Sequence, residues 1–82
     1  MKFRKKPIVV EAEQWFDGKE IEGVIYKPMP ISGLKIMPPY IETDNGRIYV
    51  YEGDWIITGT HGEKYPCKPE IFSEIYEPVN EV

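Results

Sequence analysis

Gly53-Asp54-Trp55-Ile56-Ile57-Thr58-Gly59, followed closely by Gly62-Glu63-Lys64-Tyr65-Pro66-Cys67-Lys68-Pro69, decides the fold class of this chain. Trp, Ile and Thr suit a pleated, half-buried surface, and the glycines that bracket them mark turns. Gly59 to Gly62 is a tight turn into a second strand running from Glu63 to Cys67. Pro69 then opens one helical turn over residues 68–73, where its missing N–H does no harm and Glu70 meets the positive end of the dipole. Upstream, residues 40–51 form a hairpin. Ile41-Glu42-Thr43 runs into Asp44-Asn45-Gly46, the strongest short turn signal in the chain, because Asn and Gly tolerate positive φ. Arg47 to Tyr51 returns with Ile48 and Val50 on one face and Tyr49 and Tyr51 on the other. Short connections between these strands predict meander order.

Pro7 to Trp15 alternates with period 2, placing Ile8, Val10 and Ala12 on one face and Val9, Glu11, Glu13 and Trp15 on the other. That pattern predicts a half-buried strand with proline at its start. Asp17-Gly18 closes it with a turn. Between Lys19 and Pro30, Gly23 and the β-branched Val24-Ile25 interrupt any helix. Residues 27–33 and 37–39 read as proline-stiffened loops, and 74–78 as a closing strand or extended tail. The expected fold is mainly β (α+β), one domain over residues 1–82. It is a small twisted antiparallel sheet or partly open barrel of about five strands with one short helical turn.

Eighty-two residues support one domain, and a chain of this size buries only about 60% of its unfolded surface. A core that small is commonly supplemented by oligomerisation, and a single cysteine excludes an internal disulfide. The 41% hydrophobic and 13% aromatic content argues against disorder. No apolar run approaches the roughly 20 residues of a membrane span, and the apolar residues after the basic start break off at Glu11, too soon for a signal sequence. A cytoplasmic protein is expected. The net charge of −4 conceals an asymmetry: four of the ten basic residues fall within residues 1–6, leaving six against fourteen acidic residues. So acidic a body disfavours duplex nucleic acid, which must be met by several phosphate-neutralising cations. The basic start can hold a small anion or pair with the acidic body.

Two segments carry a resemblance. Lys5-Lys6-Pro7-Ile8-Val9-Val10-Glu11-Ala12-Glu13-Gln14-Trp15, taken with Gly53 to Gly59 and Gly62 to Phe72, resembles a group of short phage and prophage proteins of unassigned function. The second part is also similar to the PGDYG domain, whose motif stands here as Glu52-Gly53-Asp54-Trp55-Ile56. The resemblance skips residues 18–40, where family members carry a fuller helix and this chain is broken by glycine and proline. It implies a phage gene product acting inside a bacterium and supplies no catalytic residues.

Candidate chemistry is sparse. His61, the one histidine, lacks the paired ligand spacing of structural zinc, so no metal or other cofactor is expected. Cys67 lies between Lys64 and Lys68, which would favour a thiolate if the ammonium groups approached it. A core cysteine without an oriented base is the plainer reading. Asp54 after Gly53 suits a turn that bonds its own backbone. The aromatic residues are more informative. Trp15, Trp55 and Tyr65 fall on strands near the cations Arg4, Lys5, Lys6, Lys64 and Lys68. An aromatic ring beside a cation can stack a base and hold its phosphate. These eight residues are the candidate ligand-binding set, against the alternative that the rings serve core or interface packing. The functional expectation is a non-enzymatic, phage- or prophage-encoded binding protein and homo-oligomer, specifically an anti-defence protein that sequesters a nucleotide immune signal. The alternatives are a protein-interaction module that inhibits a host protein or aids phage assembly, and a small hydrolase.

Overall fold

A computed structural model describes residues 1–26 and 38–79. The loops read at residues 27–33 and at Met37 lie outside them. Five four-residue strands precede one helix: β1 (Glu11–Gln14), β2 (Tyr40–Thr43), β3 (Gly46–Tyr49), β4 (Trp55–Thr58), β5 (Lys64–Cys67) and α1 (Pro69–Ile75). All pairing is antiparallel. The strands divide into a three-stranded sheet of order β1-β4-β5 and a two-stranded β2-β3 hairpin. The architecture of the described residues is therefore mainly β, two small sheets with one helix, and no barrel closes among them.

The hairpin turns where Asn45-Gly46 predicts, with Gly46 at φ 112° and the Thr43 hydroxyl donating to the Gly46 carbonyl at 2.8 Å. The expected meander is corrected at the next step, because β3 does not pair with β4. Gly53 sits at φ 92°, Asp54 N–H donates to the Tyr51 carbonyl at 3.0 Å, and the Asp54 carboxylate accepts Tyr51 N–H at 3.0 Å. That double clasp reverses the chain away from the hairpin. β4 then lies against β1, Glu11 opposite Thr58 and Gln14 opposite Trp55, with β5 on its other side. Pro66 is tolerated in β5 because that strand is an edge.

Three further boundaries differ from the sequence reading. The first strand spans Glu11–Gln14 and not the whole of 7–15, since β4 ends at Thr58 and offers no ladder partner to residues 7–10. The helix runs to Ile75, two turns where one was expected. The closing segment becomes extended only at Tyr76, with φ −115° and ψ 147°.

Strand parity gives the three-stranded sheet two different faces. Ile56 points to one, toward Trp15, Ile21, Ile41 and Val50, which form the hydrophobic core with Val24 packed against it. Ile57 points to the other, shared with Trp55, Tyr65 and Cys67, and α1 covers that side through Trp55 and Phe72. Ile57 is 0% exposed, so both faces bury surface. Ile21 was invisible to the sequence reading, coming from the segment with no clear periodicity.

Candidate functional site

The face covered by α1 collects the aromatic residues. Trp55 and Phe72 stack with ring centroids 4.3 Å apart and planes 8° from parallel, and Phe72 and Tyr76 stack at 5.1 Å and 24°. The i, i+4 spacing of Phe72 and Tyr76 puts both on the sheet-facing side of the helix. The Tyr65 and Tyr76 hydroxyls approach to 3.4 Å. That contact, followed by desolvation, pushes the Tyr65 phenol up to about 12 from its usual 10. The result is a continuous aromatic run from the sheet to the C-terminal end of the helix. Lys5 Nζ lies 5.6 Å from the centre of the Tyr76 ring at one end. Lys68, which precedes the helix, places its ammonium 5.5 Å from the ring of Tyr51, which stands outside the run.

The eight candidate residues are thus divided. Trp55, Tyr65 and Lys5 meet at the aromatic run, and Lys68 flanks it. Arg4 and Lys6 are exposed neighbours of Lys5. Trp15 is not a surface residue: it is 5% exposed, and its indole N–H donates to the Lys19 carbonyl at 3.0 Å. Although Trp15 shares a face with Glu11 and Glu13, the core overlies only its end of that face, which removes it from any stacking site. Lys64 is also displaced. It belongs to the opposite sheet face, where Nζ donates to the Thr58 hydroxyl at 2.8 Å. There it borders a small notch of about 90 Å³ lined by Glu11, Glu13, Ile21, Ile56 and Thr58. The larger depression, about 640 Å³, is formed by residues 18–24 and Tyr26, away from the aromatic run. Phe72 and Tyr76 were missed as site residues, although their spacing after Pro69 was the available signal.

The reactive groups are held apart. Burial, then the charges of Asp54 and Glu70, raise the Cys67 thiol. Its Sγ lies 3.7 Å from the Lys68 carbonyl, so the flanking lysines do not make it a thiolate. Cys67 is half-buried and not a fully enclosed core residue. The register puts Cys67 opposite Trp55, beside Asp54, while His61 occupies the turn beyond the Thr58–Lys64 end. Three residues of strand, roughly 10 Å, separate those ends. The His61 N–H donates to Glu63 Oε2 at 3.0 Å and its ring meets the Thr60 hydroxyl. Among the described residues no three His, Cys, Asp or Glu side chains are grouped to hold a metal ion. No helix of the described residues is long and apolar enough to cross a membrane.

These features define the class as a small two-sheet β module with one helix and an aromatic, cation-edged face. No protein-family model, curated protein or solved structure matches the chain.

Proposed function

We propose that this protein is a non-enzymatic binding module that holds a small anionic, aromatic ligand of the nucleotide class. The carrying observation is the Trp55–Phe72–Tyr76 stack, with Lys5 over Tyr76 and Lys68, at the start of the same helix, over Tyr51. A base extends such a stack, and the cations at its margin meet phosphate. Neither Lys5 nor Lys68 takes part in an ion pair among the described residues, which leaves their charge available. The separation of His61 from Cys67 and Asp54 supports binding over turnover. The resemblance to short phage and prophage proteins gives the module a setting: a bacterial cytoplasm, where sequestering a nucleotide immune signal is an anti-defence role. Self-association to a homo-oligomer accompanies this reading, because one small core with an open apolar surface is marginal alone.

A protein partner is the second reading. It is favoured by Ile71 and Ile75 on the outer side of α1, 44% and 55% exposed and set beside Glu70 and Glu74. Native mass spectrometry of the protein against cyclic and linear nucleotides separates the two. Capture of a nucleotide at unchanged mass, weakened by Tyr76→Ala and by Lys68→Ala, is the expected result. Indifference to the whole panel overturns the nucleotide reading. Loss of host-protein capture on Ile71→Lys, with no nucleotide bound, would establish the second.

A further inference from the structure

The free edge of β1 has a polarity that points to a specific partner. Trp15 turns its backbone toward the β4 side, donating to the Asp54 carbonyl and accepting from Gly53 N–H, both at 2.8 Å. Alternation then turns Glu13 and Glu11 inward and leaves Gln14 and Ala12 facing the outer edge. Lys19 corroborates this, since its ammonium caps the outward Gln14 carbonyl at 3.0 Å while pairing with Glu13 at 3.2 Å. Among the described residues no strand pairs with that edge, and Ala12 meets no lysine there. Continuing the alternation puts Val10, Ile8, Lys6 and Arg4 at the outer edge, whereas Pro7 falls on an inward position. The one residue without an N–H therefore sits where no outward donor is needed. Residues 4–13 also change sign about their middle. Arg4, Lys5 and Lys6 precede Ile8, Val9 and Val10, and Glu11 and Glu13 follow. Ile8 and Val9 are 56% and 71% exposed.

We propose that the occupant of this edge is a second copy of the same chain, paired antiparallel along residues 4–12 about a two-fold axis at Ile8. An isologous antiparallel pair sets residue i opposite residue 16 − i in this register. Lys6 then lies opposite Val10 and Arg4 opposite Ala12 in hydrogen-bonded pairs. Lys5 faces Glu11 in the closer, non-bonded pair and is diagonal to Glu13. Sliding the copies one pair further would set Arg4 against Gln14, whose carbonyl Lys19 already occupies. Pairing exchanges the contact of Lys5 with Tyr76 for a contact of Lys5 with Glu11 of the other copy, so in the dimer Lys68 is the cation that remains beside the aromatic run. The inference rests on the proposed self-association and adds its surface and register; it is independent of which ligand binds.

Sedimentation and oxidative cross-linking of the full chain test it. Ile8→Cys in a Cys67→Ser background is expected to give a covalent dimer, because facing Cα atoms of a hydrogen-bonded pair lie about 5.5 Å apart, within disulfide reach. Val9→Cys, set opposite Pro7, is expected not to. Lys5→Glu should return the protein to monomer mass, and Glu11→Lys with Glu13→Lys in that chain should restore the doubled mass. A dimer that survives Lys5→Glu and does not cross-link at position 8 overturns the edge pairing while leaving self-association in place. A wild-type chain that is monomeric at all concentrations overturns both, and circular dichroism of each variant separates these results from unfolding.

Discussion

The two faces of the three-stranded sheet solve the same burial problem with different side chains. On one, Ile56 meets Trp15, Ile21, Ile41 and Val50 in a hydrophobic core roofed by the hairpin and by the segment after β1. On the other, Ile57 is equally buried, but its neighbours on the sheet are Trp55, Tyr65 and Cys67, and its roof is a seven-residue helix with no buried residue of its own. The first face packs branched side chains around a single indole, Trp15, whose N–H is satisfied by the Lys19 carbonyl. The second uses flat rings, whose stacking leaves edges and outer ring faces accessible. The single-residue alternation of Ile56 and Ile57 along β4 thus gives one strand two differently built faces.

The largest effects should come from removing the centre of either side. Trp15→Ala is expected to destabilise by about 3–5 kcal/mol and Ile57→Ala by about 2–5 kcal/mol, measured by urea unfolding. If Ile57→Ala cost less than 1 kcal/mol, the helix-covered face would be a surface and not a second core, and the comparison would break. Next in size is Gly53→Ala at the clasp that sends β4 away from the hairpin. Its φ of 92° penalises any Cβ, and the added atom would stand 3.5 Å from Pro69 Cγ. A loss of about 1–2 kcal/mol is expected, and an unchanged unfolding midpoint would mean that the reversal does not need glycine.

The aromatic face should respond to alkaline pH through Tyr65. The Tyr65 phenol is raised to about 12, first by its contact with Tyr76 and then by burial. A group raised on folding contributes stability that is complete below its unfolded pKa, here 10, and is lost as pH climbs through the folded value. Stability should thus decline between about pH 10 and 12, tracked by phenolate absorbance. Tyr76→Phe should move that titration back toward 10. An identical titration in the variant would sever Tyr65 from Tyr76. The smallest effect is expected from Lys68→Ala, about 0.5 kcal/mol for an exposed cation over a ring. A loss above 2 kcal/mol there would show that the cation organises the face and does not merely edge it.

Much of the local structure was legible from short-range chemistry. Asn45-Gly46 specified the hairpin turn, the Trp55-to-Thr58 run its strand, and Pro69 with Glu70 the helix start. Each depends on a residue's own backbone preference or on neighbours within a few positions. The candidate site was legible in part: Trp55, Tyr65, Lys5 and Lys68 gather at one face, whereas Trp15 and Lys64 belong to the other. Lys64 adjoins Tyr65 on β5, so alternation alone sets it on the other face; Trp15 has a different reason. Period 2 tells which residues share a face, as Trp15 does with Glu11 and Glu13, but not how far along that face a covering element extends.

The sequence by itself determined the β-rich class, the turns and the helix start, because φ preferences, a missing proline N–H and alternating polarity act locally. Only the tertiary structure decided that β4 pairs with β1 and not β3, that Ile21 joins the core, and that Phe72 and Tyr76 complete the aromatic run. Those outcomes depend on contacts between residues tens of positions apart. They are selected by which faces can be buried together, a property of the assembled surfaces and of no single segment.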